Sequence, residues 1–383
     1  MIALNPVRYF SVLGLCLGIL VFSCKTPPVT SSKTEPTPIQ KSDFDIIAYY
    51  SGTGEDLDQY HWEQLDQVIY SFCHLRGNRL AVDSEADSLV IKKLVSLKKK
   101  YRNLKVLVSL GGWGGCKTCS EVFSSSEART EFSGSVNAIL NNYKADGIDL
   151  DWEYPAIEGV PGHPYSEEDR HNFTLLVQEL RDSLGAEKEI SFAAGGFPEY
   201  IDQSIEWELV MPKVNRVNLM SYDLVGGYST TTGHHTPLYS NDKQVRSVDN
   251  GVKCLLSKGV PPKKIVIGAA FYARVWKEVE NINTGLYQLG TFKSSVPYKK
   301  FDDLFAAKNG FDQYRDFASQ AAFAYSPSRR EFATFDDTKT VQAKTIYAKN
   351  KGLGGIMFWE LRSDLPEGGL LNDIFLSSGK KKN

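Results

Sequence analysis

The sequence has 383 residues, a formal net charge of −2 and 42% hydrophobic residues, enough for one large domain or two ordinary ones with a sizeable core. The near-neutral balance lacks the basic excess that marks nucleic-acid-binding proteins, so we expect no nucleic-acid partner. Aromatic residues make up 12% of the chain. Their flat faces suit sugar rings, but aromatic rings fill protein cores just as often, so composition leaves the activity open.

Residues 1–24 are predicted to be a lipoprotein-type signal peptide. Arg8 is the only charge before an apolar run from Tyr9 to Phe22, which is short for a transmembrane helix and has the length of a signal-peptide core. The run ends at Ser23-Cys24, which resembles a bacterial lipoprotein cleavage site. We therefore expect an exported protein that a lipid on Cys24 anchors to a membrane, on the periplasmic or cell-surface side. A plain signal peptide, cut elsewhere, would give a secreted protein instead.

Residues 25–42 are rich in Pro, Thr, Ser and Lys without apolar periodicity, as is typical of a flexible tether. Further along, Cys116 and Cys119 form a C-x-x-C motif. A zinc site would need two more ligands, and no second C-x-x-C or spaced His pair is present. A redox motif would need a thioredoxin-like context, which is also missing. We favour a disulfide that tightens a loop, and we expect Cys73, in an apolar run, to be a buried thiol.

From residue 43 onward, short apolar strands alternate with amphipathic helices. Eight strands are predicted: Asp45–Ser51, Gln67–His74, Lys105–Gly112, Gly147–Tyr154, Glu189–Gly195, Arg216–Asp223, Lys264–Tyr272 and Gly354–Leu361. Helices are predicted at Val82–Lys100, Ser126–Tyr143, Glu167–Leu184, Val245–Ser257 and Thr338–Lys349, with an irregular first unit at Leu57–Leu65. This alternation predicts an α/β fold, a closed (β/α)8 TIM barrel over residues 43–375. An open doubly wound sheet is the alternative.

One connection is too long for a simple alternation of strands and helices. Between the seventh strand and the helix at Thr338 lie about 60 residues, far more than an ordinary loop between strand and helix. The segment has its own short strands and a helical piece near Phe301–Lys308. We predict a small α+β insertion over residues 277–332. It should form one wall of a cleft, because active sites of such barrels lie at the carboxyl ends of the strands.

The fourth predicted strand carries an unusual row of acids. Asp149, Asp151 and Glu153 fall on one face of it, and apolar side chains fall on the other, because side chains alternate along a strand. Buried carboxylates are costly unless protons or hydrogen bonds relieve them. The row therefore predicts acid/base chemistry with shared protons. An acidic, solvated edge strand is the alternative, but it leaves the flanking Gly147 and Tyr154-Pro155 unexplained.

Further candidates lie at the carboxyl ends of other strands. They are Ser109, which could bond a neighbouring carboxylate, and Trp113 after the third strand, Met220, Tyr222 and Asp223 after the sixth, Tyr272 and Arg274 after the seventh, and Trp359 in the eighth. Each alone is as compatible with ordinary packing or a turn as with function. Their common position on one face of the barrel favours a site.

Several of these motifs together resemble one family. D-G-I-D-L-D-W-E at 146–153 is similar to the D-x-x-D-x-D-x-E signature of glycoside hydrolase family 18, the retaining chitinases. S-L-G-G at 109–112, M-S-Y-D at 220–223, Trp359 and the insertion match in type and order. The resemblance covers roughly residues 43–375. Tyr272-Ala273-Arg274 stands where the family often has Tyr-Gly-Arg, so the role of Arg274 is less defined.

The resemblance implies a role for each acid of the signature. Glu153 would be the general acid and later the base, and Asp151 would orient the substrate's acetamido group and stabilise a charged oxazolinium intermediate. Asp149 would share a proton with Asp151, while Asp146, outside the alternation, would be structural. Contacts with substrate would come from Tyr222, which donates to the acetamido oxygen, from Asp223, Trp359, Met220, Ser109, Tyr272 and Arg274, and from Trp113, Tyr154 and Trp276 at neighbouring subsites.

The implied reaction is retaining hydrolysis of β-1,4-linked N-acetylglucosamine, in which the substrate's own acetamido oxygen is the nucleophile. No metal or cofactor is implied, the partners would be chitin or chitooligosaccharides, and we expect a monomer. The W-E-Y-P sequence at 152–155 and the insertion favour chitin. The alternatives are an endo-β-N-acetylglucosaminidase on N-glycans, a peptidoglycan hydrolase, and a non-catalytic chitin-binding lectin. Such lectins typically lose the last acid of the signature, which is present here as Glu153.

Overall fold

Eight parallel strands close into a barrel in the computed structural model, which describes residues 44–381. The predicted signal peptide, Cys24 and the tether up to residue 42 lie outside the described residues. The strands of the described part, numbered in chain order, are β1 Asp45–Tyr50, β2 Gln67–Arg76, β3 Arg79–Ala81, β4 Lys105–Gly111, β5 Gly147–Asp151, β6 Glu189–Gly195, β7 Arg216–Met220, β8 Ile265–Ala270, β9 Tyr272–Lys277, β10 Thr291–Pro297, β11 Asp312–Asp316, β12 Ala321–Ser326, β13 Glu331–Phe335 and β14 Gly355–Trp359.

Helices cover the outside of the barrel. They are α1 Glu85–Leu97, α2 Cys119–Ser124, α3 Ser126–Tyr143, α4 Asp169–Leu184, α5 Pro198–Gln203, α6 Trp207–Val210, α7 Val248–Ser257, α8 Phe301–Leu304 (in the insertion), α9 Thr338–Asn350 and α10 Leu370–Ser378. Side-chain caps start α1, α3, α7 and α9. Ser125, for example, accepts a hydrogen bond from the Ala128 backbone and starts α3 where the sequence predicts it. None of the helices in residues 44–381 is long and apolar enough to span a membrane.

The barrel closes because β1 pairs in parallel with both β2 and β14. Around it the strands follow the order β1, β2, β4, β5, β6, β7, β8, β14. The predicted (β/α)8 barrel is therefore confirmed, and the open doubly wound sheet is wrong. As predicted, the first unit is irregular, because two short 3-10 turns, Leu57–Gln59 and Trp62–Gln64, follow β1 in place of a helix.

Strand beginnings match the sequence prediction within a residue, but several ends differ. The predicted fourth strand ran to Tyr154, whereas β5 ends at Asp151. The predicted seventh strand ran to Tyr272, whereas β8 ends at Ala270 and Tyr272 begins β9 in another sheet. The physical reason is that residues past the carboxyl ends leave the ladder and turn into the loops of the site. Their apolar character comes from packing in those loops.

The insertion is a five-stranded antiparallel sheet in the order β10-β9-β13-β12-β11. It extends from Tyr272 to Phe335, beyond the predicted range 277–332, because β9 starts directly after the barrel strand β8 and β13 ends directly before the barrel helix α9. Two apolar clusters of its own hold it together, one around Phe301, Phe305 and Phe335 and one around Trp276. The insertion thus has its own core beside that of the barrel.

Two apolar layers explain the polarity of β5. Ile148, Leu150 and Trp152 belong to the large layer between the strands and the surrounding helices. A smaller cluster fills the barrel interior, where Tyr49 of β1 hydrogen-bonds Asp149. The alternation of β5 therefore directs its apolar side chains outward, to the helices, and its acids inward.

Candidate active site

Asp149 is the innermost acid of the row, fully buried and held by three neighbours. Its Oδ2 accepts a hydrogen bond from the Tyr49 hydroxyl at 2.9 Å. Its Oδ1 accepts from Ser191 Oγ at 2.6 Å and Asn218 Nδ2 at 3.0 Å. Burial raises the pKa of Asp149, and these hydrogen bonds and Arg216 act in the opposite direction. Donors from β1, β6 and β7 thus occupy both oxygens of Asp149. Its sharing of a proton with Asp151 stays a prediction.

Asp151, next in the row, lacks such support. It is 4% exposed, and its Oδ1 has no hydrogen-bond partner among residues 44–381. Burial, followed by the nearby charges of Glu153 and Asp149, raises its pKa well above the usual value. Burial thus favours the protonated form of Asp151, and its Oδ1 is left available to a substrate group.

The position of Asp151 depends on two glycines at the end of β4. Gly111 has φ of +105°, and a Cβ there would lie 2.2 Å from the Asp151 carbonyl oxygen. Gly112 has φ of +78°, and its N–H donates to the same oxygen at 2.9 Å. A side chain at Gly111 would push β5 away, so the S-L-G-G motif gives close backbone approach.

Glu153 lies two residues past the end of β5, with Trp152 anchoring the backbone before it. The Trp152 ring packs against Phe123 at 5.5 Å and Phe173 at 6.4 Å between centroids. Burial raises the pKa of Glu153 to about 8, a hydrogen bond from Tyr154 lowers it, and the charge of Asp223 raises it. Glu153 is therefore protonated at neutral pH and able to act as a general acid.

Asp223 stands in the opposite state. Its hydroxyl and guanidinium partners are Tyr272 Oη at 2.8 Å and Arg274 Nε and Nη2 at 2.6 and 2.5 Å, and His235 Nδ1 lies 3.5 Å away. Burial raises the pKa of Asp223, but the nearby His235 and the hydrogen bonds and charge of Arg274 outweigh it, so the pKa lies below the usual value. Asp223 is thus a fixed anion facing Glu153.

Tyr222 and Trp359 complete the opening of the barrel. Burial, then the charges of Asp151 and Glu153, raises the pKa of Tyr222 well above its usual value, so its phenol remains a donor. The Trp359 ring stacks on Phe72 with centroids 5.6 Å apart and planes at 16°, and it contacts Tyr49 at 5.8 Å. Trp359 has the flat, fixed geometry that a floor for a sugar ring requires.

Three aromatic side chains form a rim beside Glu153. Trp113 is 50% exposed, and its ring centroid lies 6.4 Å from that of Tyr154 and 6.0 Å from that of Tyr228. Tyr228, 71% exposed, is absent from the sequence predictions because the glycine-rich loop around it resembles an ordinary turn. Trp113 and Tyr228 thus present ring surface next to the acid.

Four predicted substrate contacts need correction. Ser109 is fully buried, and its hydroxyl donates to the Tyr70 carbonyl at 2.7 Å, so it reaches neither a carboxylate nor substrate. Trp276 is also fully buried in the core of the insertion, with its Nε1 donating to the Ser229 carbonyl at 2.9 Å. Residue type alone does not reveal which strand face is covered.

Tyr272 and Arg274 have a different position from the one expected. Both lie on β9 of the insertion, and both direct their polar groups to Asp223. Tyr272 and Arg274 thus position the carboxylate of Asp223. Met220, another predicted contact, lies in the barrel-interior cluster and is 8% exposed. His235, fully buried beside Asp223, was missed, because the sequence gives no sign that its loop returns to the site.

Asp146 lies at the other end of β5, away from the acids. Its carboxylate accepts from Lys98 Nζ at 2.6 and 2.7 Å and from the Val106 backbone at 2.8 Å. These contacts agree with the structural role that its place outside the alternation predicts.

The sulfur atoms of Cys116 and Cys119 are bonded in a disulfide at the loop after β4. Cys73 is a buried free thiol. In the described part of the chain, no group of three or more His, Cys, Asp or Glu side chains is arranged to hold a metal ion.

The arrangement can deliver one proton and stabilise one positive charge. Glu153 carries the proton, and Asp151 beside it has a free oxygen. Tyr222, a hydrogen-bond donor, and Asp223, a fixed anion, face the same opening. Such a set suits cleavage of a bond to oxygen through a cationic transition state.

Residues 45–364 match the model of the family described as glycosyl hydrolases family 18. Chitinase A1 of Niallia circulans is 33% identical over 319 residues, which are 74% of this chain and 46% of that protein. The chain thus spans less than half the length of that relative. An N-acetylglucosaminidase of glycoside hydrolase family 18 from Paenibacillus barengoltzii is 33% identical, with a TM-score of 0.80 over 87% of this chain and 99% of that one. The Group IV chitinase of Ostrinia furnacalis in complex with allosamidin is 27% identical, with a TM-score of 0.80 over 88% of this chain and 100% of that one.

Proposed function

The chain belongs to glycosyl hydrolase family 18 and is a glycoside hydrolase, and from this premise we propose that it cleaves β-1,4 bonds between N-acetylglucosamine units of chitin or chitooligosaccharides. The observation that carries the proposal is the raised pKa of Glu153, about 8, beside the partnerless oxygen of Asp151. A protonated acid next to a group that can accept an amide N–H fits an N-acetylated sugar. The chitinases among its relatives support the same substrate class.

The first step is proton transfer from Glu153 to the oxygen of the scissile bond. The acetamido carbonyl oxygen of the sugar attacks the anomeric carbon as the bond to the leaving sugar breaks, giving an oxazolinium ion and retaining the proton on the leaving group. Asp151 Oδ1 accepts the N–H of the ion, while Tyr222 donates to its oxygen. Trp359 holds the ring from below.

The second step restores the acid. The Glu153 carboxylate takes a proton from water, whose oxygen attacks the anomeric carbon and opens the oxazolinium ring. Two inversions at that carbon leave its configuration unchanged. The row of acids lies on one strand, with the internal nucleophile supplied by substrate, so a second carboxylate on the opposite face is unnecessary.

A variant of Glu153 tests this proposal. Glu153→Gln keeps the shape of the side chain, but an amide cannot transfer a proton to the leaving oxygen. Hydrolysis of chitohexaose should therefore fall by at least about 100-fold, the usual scale of general acid catalysis. Binding of chitohexaose, measured by calorimetry, should persist. Glu208→Gln, on the exposed side of α6, is the matched control. Near-normal turnover by Glu153→Gln would overturn the assignment.

Release of single sugars is a second candidate outcome. The similarity to an N-acetylglucosaminidase over 99% of that chain favours it. Products of chitohexaose separated by chromatography distinguish it: N-acetylglucosamine alone would indicate this activity, and mixed oligomers a chitinase. Cleavage of a high-mannose glycopeptide or of peptidoglycan, with none of chitohexaose, would instead support the N-glycan or peptidoglycan alternatives.

For its location, we propose that the chain is exported and held at a membrane by a lipid on Cys24. The apolar run from Tyr9 to Phe22, followed by Ser23-Cys24, supports this proposal.

A further inference from the structure

Lysine and arginine are concentrated at the end of the barrel opposite the site. The connections that lead into the strands of a (β/α)8 barrel lie at the amino ends of those strands, while the site lies at the carboxyl ends. Here the seven connections that lead into β2, β4–β8 and β14, together with the segment after α10, contain thirteen Lys and Arg but only three Asp and Glu. The whole chain has a net charge of −2, so the rest of it is acidic. We call these segments the basic face; they are residues 65–66, 98–104, 144–146, 185–188, 211–215, 258–264, 351–354 and 379–381.

Hydrogen bonds join neighbouring connections of the basic face into one surface. Lys188 Nζ donates to the Ala145 carbonyl oxygen at 2.7 Å. Lys264 Nζ donates to the carbonyl oxygens of Met211 at 2.6 Å and Val214 at 2.8 Å. A carbonyl oxygen satisfies a donor but carries no net charge, so these lysines keep the surface positive.

The acids of the basic face do little to cancel that charge. Asp146 accepts from Lys98 Nζ at 2.6 Å, and Asp66 forms an ion pair with Lys380. The third acid, Glu187, is exposed. It is outnumbered by exposed cations of the same face, which include Lys99, Lys100, Arg102, Lys144, Lys351 and Lys381.

The chain also enters the described domain on the basic face. Phe44 precedes β1, and its carbonyl oxygen accepts from Lys380 Nζ at 3.1 Å. The Asp45 N–H donates to the carbonyl oxygen of Gly354, in the connection before β14, at 2.8 Å. A lipid on Cys24, as proposed above, would therefore be joined to the domain through this face, at the end away from the site.

We propose that the basic face binds an anionic phospholipid surface and directs the mouth of the barrel away from it. Phosphate headgroups attract Lys and Arg, and the attraction falls off within a Debye length, about 8–10 Å at physiological salt. Cations gathered on one face can come within that distance together, whereas cations scattered around the domain cannot. A covalent tether alone limits distance but leaves orientation free. The inference goes beyond the proposed function, because it concerns how the domain is held and not the reaction at Glu153.

Binding to vesicles tests the basic face. The parent is the full chain carrying Cys24→Ser, so that no lipid on Cys24 contributes. Its bound fraction is measured by sedimentation with vesicles of phosphatidylcholine that contain either no phosphatidylglycerol or about 30% of it. The combined changes Lys99→Gln, Arg102→Gln, Lys144→Gln and Lys381→Gln should lower binding to the anionic vesicles at least about tenfold, and leave binding to the neutral ones unchanged. Raising the salt from about 0.1 M to about 0.5 M should weaken binding of the parent to the anionic vesicles, because salt screens exposed charges.

The matched control removes the same charge from elsewhere. It changes to Gln four exposed lysines outside the basic face, Lys243, Lys300, Lys308 and Lys339, and should bind the anionic vesicles within about twofold of the parent. An equal loss in the two variants would show that total charge drives binding and would overturn the proposal. It would also be overturned by a parent that binds both kinds of vesicle alike, or that prefers duplex DNA to the anionic vesicles. Both variants should hydrolyse chitohexaose as the parent does, so a failure of the basic face leaves the proposed function intact.

Discussion

At the scale of single residues, Glu153 and Asp223 face the same opening in opposite protonation states. Burial dominates at Glu153, which has few donors, and the acid keeps its proton. Arg274 donates hydrogen bonds to Asp223 and His235 lies beside it, and this acid stays ionised. Environment, rather than residue type, separates the two pKa values, as acid/base catalysis requires.

The pH dependence of hydrolysis follows from this pair. A general acid must be protonated, and the raised pKa of Glu153, about 8, keeps it so below that pH, so kcat/KM should fall as pH rises through about 8. Because the Asp223 anion raises the pKa of Glu153, Asp223→Asn should move this alkaline limb to lower pH. The measurement is the pH profile of kcat/KM for chitohexaose from about pH 4 to about pH 10, taken at intervals of about half a pH unit.

The matched control is Asp312→Asn, since Asp312 is an exposed acid at the start of β11. Its profile should overlay that of the unmodified protein. An alkaline limb that stays in place or moves upward in Asp223→Asn would contradict the charge coupling between Asp223 and Glu153.

At the scale of elements, a buried ion pair ties the insertion to the barrel. Asp336 follows β13, and its Oδ2 accepts from Lys344 Nζ of α9 at 2.6 Å and from the Ala270 backbone at the end of β8 at 2.9 Å. Both charged side chains are fully buried. Lys344 also donates to Thr236, in the loop that carries His235. One pair thus connects β8, β13, α9 and the loop beside the site.

Removing one partner of that pair should be costly. Lys344→Met leaves the Asp336 carboxylate buried without its cation, and we expect the free energy of unfolding to fall by about 3–5 kcal/mol. The measurement is denaturant unfolding followed by circular dichroism.

Lys339→Met, at an exposed position of the same helix, serves as the control and should change the free energy of unfolding by less than about 0.5 kcal/mol. A loss below about 1 kcal/mol for Lys344→Met would mean that water or another group compensates Asp336, and that the pair does not hold the elements together.

At the scale of the whole molecule, the barrel and the insertion each supply residues to the site. The barrel supplies the row of acids, Tyr222 and Trp359, while β9 of the insertion supplies Tyr272 and Arg274 to Asp223. The insertion therefore has a part in the charge of the site besides forming a wall. The segment before residue 43 would set where in the cell this unit acts.

The proposed lipid anchor predicts a change of cell fraction. In a bacterial host that processes lipoproteins, Cys24→Ser should abolish incorporation of labelled palmitate and move the protein from the membrane fraction to the soluble one, because the Cys24 thiol would carry the lipid. Cys254→Ser, which changes a free thiol in α7, should stay in the membrane fraction. Equal fractionation of the two variants would argue for a secreted protein with an ordinary signal peptide.

Local pattern was sufficient for the fold and for the acids of the site. Strand and helix periods depend on neighbouring residues, so the alternation of apolar runs predicted the barrel, and the period of two in β5 predicted that Asp149, Asp151 and Glu153 share a face. Ser126–Tyr143 was predicted with its observed bounds, because capping is a local property too.

What the sequence could not decide was which side chains meet across the chain. Ser109 and Trp276 have the residue types of a sugar site but are buried by distant segments. His235 and Tyr228 reach the site through loops whose course is set by packing with the insertion. Arg274 was predicted to contact substrate, yet its partner is Asp223, 51 residues away in sequence. The identity and order of the acids were therefore determined by the sequence itself. Their charge states required the tertiary structure, because burial and long-range hydrogen bonds set each pKa.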